Sequence, residues 1–333
     1  MPELDLIDRR LLNLLQGAFP LVERPFAALA AELGVTEEEV LDRARRLREA
    51  GVIRHLSAIF DVYRVGYRSA LVACAVAPER LDDAAAVISA HPGVSHNYSR
   101  EHRFNLWFVM AVPGEQDFDA AVDALVRRAG VETYHVLPAK RLFKIAVEYD
   151  MIGGAAAAPK RDNGHRKAPR RPLTEEEKRI VRLVQEDLPI VSRPFAPAAE
   201  AMGITEAELL RRLQALQAEG IMRRFAAVLR HQEAGFESNG MVCWRPPEDR
   251  IEATGEALAA DPRVSHCYWR PTFDDWPYPV FSMVHAQERE EVERIARDLS
   301  RKIGVTDYAI LFSVREYKKE RVKYFVEAPA GAR

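Results

Sequence analysis

Two segments of the 333-residue chain repeat one arrangement of imidazole, phenol and guanidinium: His96, Tyr98 and Arg100, then His266, Tyr268 and Arg270. In a β-strand, residues two apart project from the same face. Each triplet therefore makes one chemical surface, and in an uninterrupted strand His102 would extend the first. Such a surface suits a polycarboxylate. Arginine forks a carboxylate, tyrosine donates a hydrogen bond, and histidine gives a proton or ligates iron. A lone histidine on a strand is more often a satisfied structural residue. Recurrence between copies that differ nearly everywhere around it favours chemistry.

The elements carrying these faces belong to an internal repeat. Residues Pro20 to Thr36 match Pro189 to Thr205 at nine of seventeen positions, an offset of 169. The same offset relates Gly51 to Gly220, Arg54 to Arg223, Gly66 to Gly235 and Cys74 to Cys243, and it grows to 170 at Val94 and Val264 and 174 at Gly130 and Gly304. Each copy opens with three helices, the third starting at a capping box (Thr36 with Glu39, Thr205 with Glu208) and stopping at Gly51 or Gly220. Strand-like segments follow at 53–60, 68–76, 95–103, 105–112 and 133–137 in the first copy, with helices at 81–90 and 116–129. The fold class expected is α+β: two tandem copies of a winged helix-turn-helix domain followed by a ferredoxin-like βαββαβ domain. The expected boundaries are 1–55, 56–151, a flexible linker at 152–173 rich in Ala, Gly, Pro and basic residues, 174–224 and 225–328.

This order resembles the feast/famine regulators of the leucine-responsive (Lrp/AsnC) type across nearly the whole of each copy. With the site motifs added, the chain resembles the siroheme decarboxylase family, whose members pair two homologous subunits. The run from His96 to Phe108, with Phe143-Lys144-Ile145 and Tyr149-Asp150-Met151, is similar to one subunit. The runs Arg223-Arg224-Phe225 to His231, His266 to Tyr278, and Arg315 to Lys319 are similar to the other, so the chain reads as a fused form. The resemblance implies conversion of siroheme to 12,18-didecarboxysiroheme by loss of two acetate carboxyls as CO₂, a carboxy-lyase reaction of haem d1 biosynthesis. It implies no organic cofactor and no intrinsic metal, the iron being carried by the substrate. His96 and His266 become the expected acids, either one also able to ligate that iron. Tyr98, Arg100, His102, Arg224, His231, Tyr268 and Arg270 become the expected substrate-binding residues. The copies are expected to pair as a pseudo-dimer within the chain, with room for a further homo-oligomer. His285 follows an apolar strand and reads as structural. Lys140, Arg141 and Lys144, matched by Val314, Arg315 and Lys318, read as a carboxylate-binding rim or as solvated strand ends.

Composition limits the alternatives. With 48% hydrophobic and 29% charged residues the chain reads as globular, and no apolar run approaches the roughly 18 residues that span a bilayer. An acidic N-terminus running straight into a helical pattern fits no signal or transit peptide, so a cytoplasmic location is expected. Three scattered cysteines suit neither a disulfide framework nor a zinc site and read as buried thiols. The competing functions are a haem-responsive regulator of the same fold and a tetrapyrrole carrier. A net charge of −2 and third helices that each sum to −1 speak against the first, because affinity for DNA comes largely from neutralised phosphates. An anisotropy titration against duplex DNA at physiological salt should therefore show no complex in the specific range of about 10⁻⁸ M or tighter; a tight, sequence-selective complex would overturn this.

Overall fold

The computed structural model describes residues 4–17, 19–145, 171–229 and 238–326. His231, Tyr149, Asp150, Met151 and linker residues 152–170 lie outside them. The first copy folds as α1 (Leu6–Gly17), α2 (Pro25–Leu33), α3 (Glu37–Glu49), β1 (Ile53–Phe60), β2 (Tyr67–Ala75), α4 (Leu81–Ser89), β3 (Val94–Arg100), β4 (Leu106–Pro113), α5 (Phe118–Arg128), β5 (Thr133–Leu137) and β6 (Arg141–Ile145). The second folds as α6 (Glu175–Val184), α7 (Ala196–Met202), α8 (Glu206–Ala218), β7 (Met222–Leu229), β8 (Ser238–Trp244), α9 (Ile251–Ala259), β9 (Val264–Trp269), β10 (Val280–Ala286), α10 (Arg289–Ile303) and β11 (Tyr308–Lys319).

Helix α3 begins where the Thr36 hydroxyl accepts from the Glu39 amide, and it buries Val40, Leu41, Ala44 and Leu47. The expected capping boxes are only half made in α3 and α8. The Glu39 carboxylate turns to Arg43 and that of Glu208 to Arg212, and the reciprocal box closes instead in α6, between Thr174 and Glu177. Gly51 and Gly220 end α3 and α8 with φ of 77° and 71°, a region that favours glycine.

Strands β1 and β7 form an antiparallel ribbon between the two sets of helices. The loop after α1 donates from the Phe19 amide to the Phe225 carbonyl (3.0 Å), and its repeat donates from Leu188 to Leu56 (2.7 Å), so each copy stitches onto the other's ribbon strand. One apolar core, including Phe26, Leu47, Leu56, Phe195, Leu213 and Phe225, runs through both helix-turn-helix units.

The remaining strands make one ladder in the order β5-β2-β4-β3-β11-β8-β10-β9-β6. Within it each copy keeps the ferredoxin-like order, but the last strands cross over. Strand β11 pairs with β8 through Phe312 and then with β3 from Ser313 to Lys319, while β6 leaves its own copy for β9. Strands β5 and β6 stand at opposite ends of the ladder yet are joined by only residues 138–140. The ladder must therefore curl until its ends meet. Helices α4 and α5 cover the outside of one half and α9 and α10 the other. The inner faces meet around Trp107, Leu137, Cys243, Phe281 and Leu311.

That geometry corrects the sequence alignment of the cysteines. Cys74 faces the helices and Cys243 faces the interior. Ala73 pairs with His135 and Cys243 with Ala309, so Ala73 is the counterpart of Cys243 and the offset is already 170 in β8. All three thiols are buried, as expected, and burial pushes each upward in pKa. Among the described residues no helix is long and apolar enough to cross a membrane.

Phe225 sits 1% exposed between Phe19 of the first copy (ring centroids 6.2 Å apart) and Phe195 of the second (5.4 Å). Phe225→Ala should cost about 3–5 kcal/mol in chemical denaturation, and tryptic cleavage within α1–α3 and α6–α8 should accelerate together. Loosening of the second set of helices alone would contradict a common core.

Candidate active site

Both triplets lie on the inner face. The bulges that displace Ser95 and Ser265 from pairing precede the two histidines, and a bulge re-aims the side chains beside it. The rings of His96 and Tyr98 stack with centroids 6.3 Å apart, and those of His266 and Tyr268 at 6.4 Å. The guanidinium of Arg100 lies 5.7 Å from the centre of the Tyr98 ring, and that of Arg270 4.6 Å from that of Tyr268. The alternate residues Asn97 and Cys267 turn outward, bonding to carbonyls of α4 and α9.

The arginines are held as cations without anions. Arg100 is 8% exposed and donates to the Leu311 carbonyl and the Ser313 hydroxyl, each at 3.1 Å. Arg270 donates to the Leu137 carbonyl, the counterpart of Leu311 in the repeat. No carboxylate pairs with either among the described residues, and both Nε atoms are enclosed without a hydrogen-bond partner. Burial lowers both guanidiniums, Arg100 to about 10, so they stay charged at neutral pH. Both charges reach the buried Cys243 thiol. The two faces thus converge on one interior point from opposite halves of the ladder.

More cations line the approach. Burial first, then Lys319 and Arg54, pulls His96 down to about 4. Arg54 comes from β1 and its repeat partner Arg223 from β7, where Arg223 pairs with Asp61 at 2.8 Å and lies near Tyr268. Arg321, just past β11, donates to the Ala58 carbonyl at 3.1 Å, and burial with neighbouring Arg224 lowers it to about 10. His55, pulled to about 4 by burial, Arg321, Arg54 and Arg48, completes this layer. Besides Asp61, Glu316 adds an acid here: Tyr98 donates to it at 3.2 Å, and burial with that carboxylate pushes the phenol up.

Several expectations change. Strand β3 stops at Arg100, whose amide donates to the Asn105 carbonyl (2.9 Å) to close a turn. His102 therefore leaves the face: it is exposed, accepts from the Phe104 amide (3.0 Å), and sits edge-on to Trp276. Arg224 lies on the ribbon, beside Arg321 and off the triplet strands. Lys144 and Lys318 are no rim. Each reaches outward to carbonyls at the end of a helix, Lys144 to Asp261 (2.7 Å) and Lys318 to Ser89 (2.8 Å). Arg141 pairs with Glu252 and Glu256, Arg315 with Asp82, and Lys140 lies over the Trp269 ring. His285, read as structural, joins Ser265 behind His266. Arg54, Lys319 and Arg321 were not singled out as site residues. The match of Arg54 to Arg223 was visible but marked only the repeat.

Between Arg270 and β10, the second copy inserts a loop that crosses to the first. Phe273 stacks on His135 with centroids 4.0 Å apart, Asp275 bonds the same imidazole at 2.6 Å, and Trp276, 1% exposed, packs on Phe104 and Trp107. This closes one end of the interior. A separate concavity between α1 and α3 is lined by Asp5, Asp8, Glu38, Glu39 and Asp42 with Arg43 and Arg46, an unsuitable wall for a polyanion. No group of three or more His, Cys, Asp or Glu among the described residues is arranged to hold a metal ion.

Comparison with known proteins agrees with this architecture. A family model described as the siroheme decarboxylase NirDL-like HTH domain matches residues 8–54 and 177–223, and one described as the AsnC-like ligand binding domain matches 64–144 and 233–318. The siroheme decarboxylase of Hydrogenobacter thermophilus is 43% identical over 96% of this chain and 95% of its own. The siroheme decarboxylase NirDL subunit of Paracoccus pantotrophus is 38% identical over 95% of this chain and 96% of its own. The crystal structure of a siroheme decarboxylase NirDL in co-complex with an iron-uroporphyrin III analogue superposes with a TM-score of 0.76 at 39% identity, covering 96% of this chain and 95% of that one. On identity sustained from the first helix to the last strand, the chain belongs to the siroheme decarboxylase family.

Proposed function

We propose that this protein decarboxylates siroheme to 12,18-didecarboxysiroheme as a carboxy-lyase of haem d1 biosynthesis, with its site on the inward faces of β3 and β9. The observation carrying this reading is the pair of enclosed guanidiniums, Arg100 and Arg270, with which no carboxylate pairs among the described residues. A buried cation without a counter-ion is costly, and an anionic ligand offsets that cost. Lys319, Arg54, Arg224 and Arg321 extend the same sign toward the ribbon. A tetrapyrrole bearing many carboxylates matches this distribution.

Each acetate loses CO₂ and gains one proton. Protonation of the adjoining pyrrole carbon lets the ring take the electron pair of the breaking bond, and the exocyclic carbon is then protonated as the ring proton leaves. The chain has to supply positioning and protons. In this reading Arg100 and Arg270 clamp carboxylates that remain, with Tyr98 and Tyr268 donating beside them. His96 and His266 deliver protons, or one of them ligates the substrate's iron. A reacting carboxylate set among aromatic rings, away from the guanidiniums, loses solvation that its charge-dispersed transition state needs less. No organic cofactor is required, and the protein acts in the cytoplasm.

Anaerobic incubation with siroheme under reducing conditions should give two successive losses of CO₂ in the extracted pigment, without added cofactor. Pigment that is bound but unchanged would leave a carrier instead.

Replacing Arg100 or Arg270 by methionine should leave the fold as stable or more stable, since a well-packed apolar residue removes an uncompensated charge. The same change should weaken siroheme binding at least tenfold, as charge-assisted bonds contribute about 1.5–3 kcal/mol. Unchanged affinity in both variants would move the carboxylate clamp elsewhere.

His96 titrates near 4 in the free protein and is therefore neutral at pH 7. Carboxylates brought beside it favour the imidazolium and raise its pKa. Binding of iron-uroporphyrin III should then take up protons, and affinity should fall as pH rises through the bound-state value. His96→Ala should remove part of the uptake and reduce turnover by about 10²–10⁴-fold; identical uptake with His96 removed would exclude it as the group that titrates.

A further inference from the structure

The two serine–histidine steps beside the triplets look alike, but only one is extended. Each hydroxyl lies 2.9 Å from Nδ1 of the next residue, Ser95 to His96 and Ser265 to His266. In the second copy Ser265 Oγ also lies 2.7 Å from His285 Nε2, and His285 Nδ1 meets Asn239 Oδ1. In the first, Val94 opposes Met110 as Val264 opposes Val284, which makes Ala111 the counterpart of His285. Ser95 Oγ has no second hydrogen-bond partner among the described residues.

Counting protons fixes the direction of the extended chain. Asn239 Oδ1 can only accept, so His285 carries its proton on Nδ1. Burial, then the nearby Lys319, keeps His285 neutral at pH 7. Its Nε2 must therefore accept, and Ser265 holds the proton available. The Met283 carbonyl, 3.4 Å from the same hydroxyl, is the weaker competitor. Having donated to His285, Ser265 Oγ can only accept from His266, which places a proton on Nδ1 and, in the neutral ring, the lone pair on Nε2.

We propose that Asn239 and His285 are positioning residues that act through Ser265 to lock His266 in the Nδ1–H tautomer, so that the two copies hold non-equivalent histidines. His266 presents a lone pair to the substrate, accepting a proton or ligating its iron. His96, whose serine is uncommitted, is left able to carry a proton on Nε2 and donate it. This rests on the reading of the two faces as the siroheme site. It adds a division of labour that the repeated motif itself does not contain.

The test uses the full chain labelled with ¹⁵N-histidine, with resonances assigned by His96→Gln and His266→Gln, together with siroheme turnover. Long-range ¹H–¹⁵N spectra should show His266 as the Nδ1–H tautomer in the unmodified protein. His285→Ala should release that preference and lower kcat about 10–100-fold with KM little changed. His285→Gln, which can still accept from Ser265 and donate to Asn239, should keep both near their original values. Should His285→Ala fail to fold, Asn239→Ala carries the same expectation. A proton on Nε2 of His266 in the unmodified protein, or unchanged tautomer and kcat in the alanine variants, overturns the proposal. The expected tautomers in a protein that binds siroheme without decarboxylating it would refute the functional reading and leave the positioning role standing.

Discussion

Neither copy can finish its sheet from its own residues. Strand β11 runs beyond Phe312 to pair with β3, and β6 leaves its copy to pair with β9. Backbone donors and acceptors along β3 and β9 would otherwise form open edges, which proteins seldom leave long and bare. The exchange also dictates where side chains look. On an open ferredoxin-like sheet the face away from the helices meets solvent. Closing the ladder turns that face inward, and the His-Tyr-Arg rows with it.

Placing cations in that interior works against stability. Carbonyls of Leu311 and Leu137 give Arg100 and Arg270 dipoles but no charge to oppose them. The surrounding cores at Trp107, Phe281 and Leu311 supply the apolar burial that tolerates such a defect. Near-symmetry ends at the loop after Arg270. Its Phe273, Asp275 and Trp276 cross to His135 and Phe104, so the first copy is closed by residues that the second supplies.

Much of this is legible in sequence because it is local. Thr36 and Thr205 start helices, Gly51 and Gly220 stop them, and period-two spacing aligned each triplet on one face. Partner choice was not legible: β6 and the end of β11 read as ordinary strand ends, because an apolar alternation does not say which edge it will join. The outward reach of Lys144 and Lys318 is hidden for that reason, their helix-end carbonyls being known only once the crossing is known. Arg54, Lys319 and Arg321 come from three separate places and meet only through the ribbon. His102 was lost to a turn that period-two spacing cannot foresee. His285 reads as structural because it follows an apolar strand, and only the pairing of the strands shows that its counterpart is Ala111.

The crossing strands also bear on what a single chain gains. Two separate subunits exchanging strands would hold this interior together only as well as their concentration allows, and dilution would unfold site and sheet together. Joined in one polypeptide, the second association becomes intramolecular, with an effective concentration commonly in the millimolar range for a short tether. Assembly is then first order. It also always unites one copy of each kind, so the loop carrying Trp276 meets Phe104 and never a second copy of itself.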